Sequence, residues 1–340
     1  MTKSTSPKKS ATIRDVARLA GVSVATISRY LNGNTPLAPD TAERVCRAMQ
    51  DLNYSPDLAA QNLATRRTRN IGFLTASMKG LYMTALLEGI ENAVQSAGYN
   101  LLVSTYSSID EPEAPIFPLG RHNVDGLLIF TGTLNQQELQ TLYEQSLPLV
   151  LIHQTPPEGM MIPSVTLENR RAACEVVEHL IVRHACRKIL FVSGPEEQQD
   201  ALQRRLGYED ALHKHDIKLE SDWVIPGGFD RSIAADSMRD FLKRNMPVQA
   251  VFAADDESAA GVYRAIIEAG LSIPEDIRVI GFDDQIFSTY LSPALSTAQA
   301  PTEMAGRVAV EKLLNWIRSQ EVEKPVILAA QPVYRRSCGC

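Results

Sequence analysis

Three observations predict a small all-α head joined to a large α/β body of two doubly wound lobes. Between residues 12 and 53, apolar residues recur at helical spacing, bracketed by helix start and stop signals. From residue 71 onward, short apolar runs alternate with amphipathic stretches, and this series begins afresh near residue 188. The charge is also divided: residues 1–70 carry 11 Lys and Arg against 5 Asp and Glu, and the remainder carries 23 against 35. A basic head on an acidic body implies an anionic partner for the head and a different task for the body.

In the head, Thr12 and Asp15 stand at capping-box spacing, and Ile13, Val16, Ala17 and Ala20 repeat on one helical face. Gly21 supplies the positive φ of a sharp exit, Val22 turns inward, and Ser23 caps a second helix that runs to about Leu31, before Asn32 and Gly33. A third helix is expected from about Pro39, with Ala38 a poor cap. Two short helices around a glycine turn make a helix-turn-helix, in which Ala17 permits close crossing and Ile27 fills the gap. The N-terminal half of the second helix suits a major groove. Ser23 and Thr26 are short phosphate donors, Ser28 shares their helix, and Val24, Ala25 and Arg29 project toward base edges. Arginine reads guanine as a bidentate pair, worth about 1–3 kcal/mol of discrimination.

Ser55 and Pro56 start a short hinge helix in NYSPDLAAQNLATRRTRN (53–70), too short to be stable alone. Leu63 is placed to wedge into a minor groove, although an ordinary linker has the same composition. In the body, IGFL (71–74), NLLVSTY (100–106), DGLLIFT (125–131) and LVLIHQ (149–154) read as buried parallel strands. The segments 86–98 and 138–146 are the intervening helices. KILFVSG (188–194), AVFAADD (250–256) and IRVIGFDD (277–284) form the second series, and ligands are expected beyond the carboxyl ends of such strands.

TIRDVARLAGVSVATISRYLNG (12–33) followed by NYSPDLAAQNL (53–63) resembles the head and hinge of the lactose-repressor (LacI) family of bacterial transcription regulators. The resemblance continues through PSVTLENRRAACEVVEHLI, RRLGYEDAL, AADDESAAGVYRAI and AGLSIPEDIRVIGFDD to LSPALSTAQAPTEMAG. It implies a helix-turn-helix domain over 1–53, a hinge over 54–70, and a periplasmic-binding-protein-like effector and dimerisation domain over 71–340. The N-lobe would take in about 71–164 and 298–326, and the C-lobe about 165–297 and 327–340. The implied partners are double-stranded operator DNA, bound by a homodimer as a pseudo-palindrome, and a small-molecule effector, most naturally a sugar or sugar derivative.

By position, the resemblance assigns effector contacts to Arg204, Phe229, Asp255 and Asp283, with Tyr82 and His153 standing where relatives carry other residues. Carboxylate and guanidinium suit neighbouring hydroxyls, and an aromatic face suits a sugar ring. As plain structural residues, Phe229 and His153 would be core and the two aspartates helix N-caps; Arg205 replaces Arg204 if the register slips by one. The segment 107–126 is Pro-rich and is expected to shorten the family's second helix.

No dinucleotide, P-loop, nucleophile-elbow or zincin motif is found, so no catalytic residue and no cofactor are expected. The alternatives are a regulator answering to a protein partner and an enzyme built on the same lobes. The five cysteines are scattered, and Cys338-Gly-Cys340 is read as an exposed tail with no metal site. No apolar run is long enough for a membrane span, and the opening residues lack a signal peptide's apolar region, which predicts a cytoplasmic protein. The final PVYRRSCGC is not a leucine-heptad helix, which favours a dimer over a tetramer.

Overall fold

The structure, a computed structural model, describes residues 11–31, 37–54, 67–106 and 117–340. Most of the hinge, Leu63 included, and much of the Pro-rich segment lie outside these residues. The chain divides into two compact units, Met1–Thr68 and Arg69–Cys340.

In the first unit, α1 (Ile13–Ala20) starts at the Thr12–Asp15 capping box and ends at Gly21 in the left-handed region, φ 64°. The Ser23 hydroxyl accepts the Thr26 N–H at 3.1 Å and opens α2 (Val24–Leu31). Helix α3 (Pro39–Asp51) begins after Ala38, which gives no side-chain cap. Fully buried Ile27 packs with Val16, Ala17, Ala20, Val45 and Ala48.

The second unit holds two parallel sheets. The first contains β1 (Asn70–Thr75), β2 (Asn100–Thr105), β3 (Gly126–Phe130), β4 (Leu149–Ile152), β5 (Ser164–Leu167) and β11 (Val326–Leu328), in the order β11-β5-β4-β3-β1-β2. Helices α4 (Leu81–Ser96) and α10 (Thr302–Ser319) cover one face. On the other face lie α5 (Gln136–Glu144) and an irregular segment carrying Phe117, Leu119 and Val124. Where α4 and α10 cross, a Cβ at Gly89 would sit 2.0 Å from the Glu303 carbonyl oxygen, and one at Gly306 would sit 2.4 Å from that of Leu86. Only glycine allows this approach.

The second sheet contains β6 (Ile189–Ser193), β7 (Val224–Pro226), β8 (Ala250–Ala253) and β9 (Arg278–Ile280), in the order β7-β6-β8-β9. Helices α6 (Asn169–Arg183) and α7 (Gln199–Lys214) pack on one face. Helices α8 (Arg231–Lys243) and α9 (Asp256–Glu268) pack on the other. An antiparallel ribbon of β10 (Thr297–Gln299) and β12 (Gln331–Val333) carries the later passages between lobes. Both β5 and β11 complete the first sheet, so it extends a few residues beyond the expected limits at 164 and 326. Helix α4 starts five residues before the expected 86, directly after Gly80 at φ 90°. Among the described residues, no helix is long and apolar enough to cross a membrane.

Candidate functional site

Parallel strands deliver their carboxyl ends to one side of each sheet, and here both sides open onto a shared cavity of about 310 Å³ between the lobes. Strand β1 leads into Ser77 and Lys79, β3 into Thr131 and Gly132, β6 into Gln198 and Asp200, and β7 into Phe229. Asp255 and Asp283 follow β8 and β9, and Tyr82 comes from the first turn of α4. Five of the six residues assigned to the effector therefore share one wall-to-wall space: Arg204, Phe229, Asp255, Asp283 and Tyr82.

Arg204 organises the C-lobe wall. Its side chain is 2% exposed, and every arm of the guanidinium is engaged. It donates to Asn169 Oδ1 at 2.9 Å and to the Ala254 carbonyl at 2.6 Å, and it pairs with Asp283 Oδ1 at 3.0 Å. The plane lies 3.8 Å from the Phe282 ring centroid and 5.6 Å from that of Phe229. Arg205 is exposed and pairs with Glu209, which places Arg204, not its neighbour, in the cavity wall.

Asp255 is both N-cap and wall: it accepts the Ser258 N–H at 2.9 Å while facing the cavity. Asp283 is no helix cap; it sits at φ 108° beyond β9. Burial raises Asp255 to about 6 despite its hydrogen bonds to Ser258. Burial likewise raises Asp283 to about 7, with Arg204 lowering it only in part and Asp255 raising it further. Near neutrality Asp283 can thus donate as well as accept, which suits a hydroxyl-bearing ligand. Phe229, at φ 57°, is half-buried and turns one face to the space.

His153 does not line the cavity. It is fully buried, with Nε2 hydrogen-bonded to the Tyr82 hydroxyl and Nδ1 3.2 Å from Asp200 Oδ2. Burial lowers its pKa, Asp200 opposing this, which favours the neutral ring. His153 positions Tyr82 from behind; its position at the end of β4 alone could not distinguish that from lining the site.

Three further residues belong to this site. Asp200 stands four before Arg204 on α7, a same-face acid–base spacing that was legible in the sequence. Asn169 joins the two, donating to Asp200 at 2.7 Å while accepting from Arg204. Gln285 lines the cavity with a buried side-chain amide whose nitrogen and oxygen find no hydrogen-bond partner among the described residues. Such a group is costly to bury unless a ligand completes it, by about 1–3 kcal/mol.

In the first unit, Ser23 just before α2 and Val24, Ala25 and Arg29 on it are exposed, and Thr26 and Ser28 are half-buried. Val24 keeps 41% of its surface accessible, leaving its side chain free to contact a partner. Ile27 alone of this helix is fully buried, so the opposite face presents the residues expected to meet DNA.

The sequence places this chain among known proteins. Residues 12–57 match the family of bacterial regulatory proteins called lacI, and residues 177–338 match a periplasmic binding protein-like domain. The HTH-type transcriptional repressor PurR of Photorhabdus laumondii is 32% identical over 330 residues, covering 96% of each chain. Catabolite control protein A of Priestia megaterium is 29% identical, over 93% of this chain and 95% of that protein. The Lac repressor dimer bound to operator and the anti-inducer ONPF superposes with a TM-score of 0.84, at 26% identity, over 97% of this chain and 99% of that one. The regulator CelR in complex with cellobiose gives a TM-score of 0.70 at 25% identity, over 96% and 99%. This chain belongs to the lacI family of bacterial regulatory proteins.

Proposed function

We propose that the chain is a dimeric, operator-binding transcriptional repressor switched by a neutral sugar or sugar derivative held between the lobes. The observation that carries the effector class is the cavity wall itself. Asp255, Asp283, Arg204 and the unpartnered Gln285 amide offer mixed donors and acceptors, beside the faces of Phe229 and Tyr82. Five carboxylates (Asp200, Asp230, Asp255, Glu257 and Asp283) face the space against two cations, Lys79 and Arg204. That balance disfavours phosphorylated and acidic ligands. The volume lies at the lower end of the roughly 300–1,000 Å³ range of small-ligand sites, which suits a small sugar.

The reading is of a sensor, not an enzyme, acting in the cytoplasm beside its DNA. The cavity carboxylates already have structural tasks: Asp255 and Asp230 cap helices, Asp200 is held by Asn169, Asp283 by Arg204 and Glu257 by Arg231. The relatives named above are regulators, and the Lac repressor structure is a dimer on its operator. On this reading Arg29, Val24 and Ala25 face base edges, and Ser23, Thr26 and Ser28 meet the backbone. The effector acts by its differential affinity for two lobe arrangements.

Selection of duplex DNA from a random pool by the full-length chain tests the DNA half. The expected product is a pseudo-palindrome whose occupancy changes on adding the effector. Enrichment of no symmetric site, or of one indifferent to every neutral sugar tried, would count against the reading.

A further inference from the structure

Away from the cavity, the C-terminal end of α6 and the residues after β12 bring four metal-binding side chains to one point. His179 lies in the last turns of α6 and His184 immediately after it; Cys338 and Cys340 lie more than 150 residues later. Their ligating atoms all fall within 4.8 Å of one another. The two imidazole Nε2 atoms are 3.2 Å apart. Cys340 Sγ is 3.3 Å from His179 Nε2 and 3.5 Å from His184 Nε2, and Cys338 Sγ is 3.8 Å from His179 Nε2.

These separations have a simple origin. Zinc bonds of about 2.3 Å to sulfur and 2.0–2.1 Å to nitrogen, arranged tetrahedrally, put nitrogen roughly 3.3 Å from nitrogen and 3.5 Å from sulfur. The four closest pairs, at 3.2–3.8 Å, come near these edges, and all four ligating atoms lie within 4.8 Å of one another. Without an ion, two imidazoles and two thiols turned toward one centre are weak partners for one another; a dication engages all four, and two thiolates balance its charge.

The surroundings hold the set in place. The Tyr334 ring stacks on His179, with centroids 3.7 Å apart and planes 14° from parallel. Ser337 Oγ donates to the Val279 carbonyl at 2.6 Å and accepts the Ser296 N–H at 2.7 Å, which ties the turn to β9. Gly339, at φ 93°, reverses the chain so that the cysteines on either side point the same way; a Cβ there would lie 3.4 Å from Arg278 Nε. Cys338 is fully buried, which corrects the expected exposed tail at that residue, while Cys340 is exposed as expected.

We propose that His179, His184, Cys338 and Cys340 ligate a structural zinc ion that fastens the carboxyl-terminal residues to the end of α6. All four positions are filled by protein, which fits a closed structural site and leaves no place for a reacting water. Two nitrogens and two sulfurs in tetrahedral array select zinc over the harder divalent cations. The staple holds the segment after β12, through which the chain returns from the N-lobe sheet, against the C-lobe.

The test is metal analysis of the untagged full-length chain, followed by exchange of zinc for cobalt(II). About one zinc per chain is expected, with thiolate-to-cobalt charge-transfer and intense tetrahedral ligand-field bands after exchange. Cys340→Ser, at an exposed position, and His184→Asn should each lower bound zinc at least tenfold, and Cys46→Ser in the head should leave it unchanged. Should a variant not fold, the wild-type cobalt spectrum still decides the ligand set. Metal-free wild type with no cobalt–thiolate bands, a Cys338–Cys340 disulfide in freshly purified protein, or zinc retained in folded Cys340→Ser and His184→Asn would overturn the proposal.

Discussion

Replacing Asp283 with Asn should stabilise the ligand-free protein at neutral pH and do much less in acid. Burial holds this carboxyl at about 7 in the folded chain, even beside Arg204, whereas an unfolded aspartate titrates near 4. Below pH 4 the group is protonated in both states and adds no penalty. As pH rises from about 4 to 7 the unfolded chain ionises first, and the folded state loses stability by about 4 kcal/mol once both are charged. Asn carries no charge to bury, so the variant recovers most of this near pH 7.5 and only about 1.5 kcal/mol near pH 5. The difference, about 2–3 kcal/mol, corresponds to a melting temperature gain larger at pH 7.5 by on the order of 5 °C. Wild type and Asp283→Asn are compared by calorimetry at both pH values without ligand. The gap between the two curves should therefore narrow towards pH 5 and close only below about pH 4, where the acid is protonated in both states. A variant destabilised equally at both pH values would refute the view of Asp283 as a strained, buried acid. On the proposed effector role, the same change weakens ligand binding tenfold or more, since a charge-assisted hydrogen bond is worth about 1.5–3 kcal/mol.

Arg204→Met removes the donors to Asn169 Oδ1 and the Ala254 carbonyl as well as the partner of Asp283, and should destabilise the body by about 3–5 kcal/mol, measured by urea unfolding; a loss under 1 kcal/mol would mean the network is not structural. Gln285→Leu removes two unpartnered buried polar atoms. It should leave melting unchanged or raise it by about 1 kcal/mol equivalent while weakening effector binding, and unaltered affinity by calorimetric titration would remove Gln285 from the site. Ile27→Ala empties the centre of the head and should cost about 2–5 kcal/mol, seen as loss of operator binding with the body's transition intact. Arg29→Ala should relax preference at one base pair by about 1–3 kcal/mol; an unchanged preference profile would refute base reading by Arg29.

Local signals were the most legible part of this sequence. The Thr12–Asp15 box, Gly21, Ser23 and the uncapped Ala38 act within three or four residues, and the structure forms each as its chemistry dictates. The buried strands were equally plain, because a run such as Leu149–Ile152 is apolar on both faces. Less legible was anything decided by contacts across the chain. His153 looked like its neighbours at strand ends, yet it serves Tyr82 from behind. Asn169 and Asp200 come from different helices and meet only around Arg204. Asp255 caps its helix and lines the cavity at once, so the two readings of that carboxylate are compatible. The Cys338–Cys340 pair carried no visible partner because His179 and His184 precede it by so much chain.

On the proposed function, the cavity between the lobes receives a neutral sugar-type effector. The most direct measurement is a thermal-shift screen of the full-length chain against sugars, sugar phosphates, sugar acids, nucleobases and nucleosides. A ligand at about 100 times its Kd adds roughly 2.7 kcal/mol, or several degrees for a body of this size. The expected result is a neutral sugar that raises the melting temperature of the wild type and does so much less for Gln285→Leu. Stabilisation confined to phosphorylated or acidic compounds, or by no small molecule at all, would contradict it.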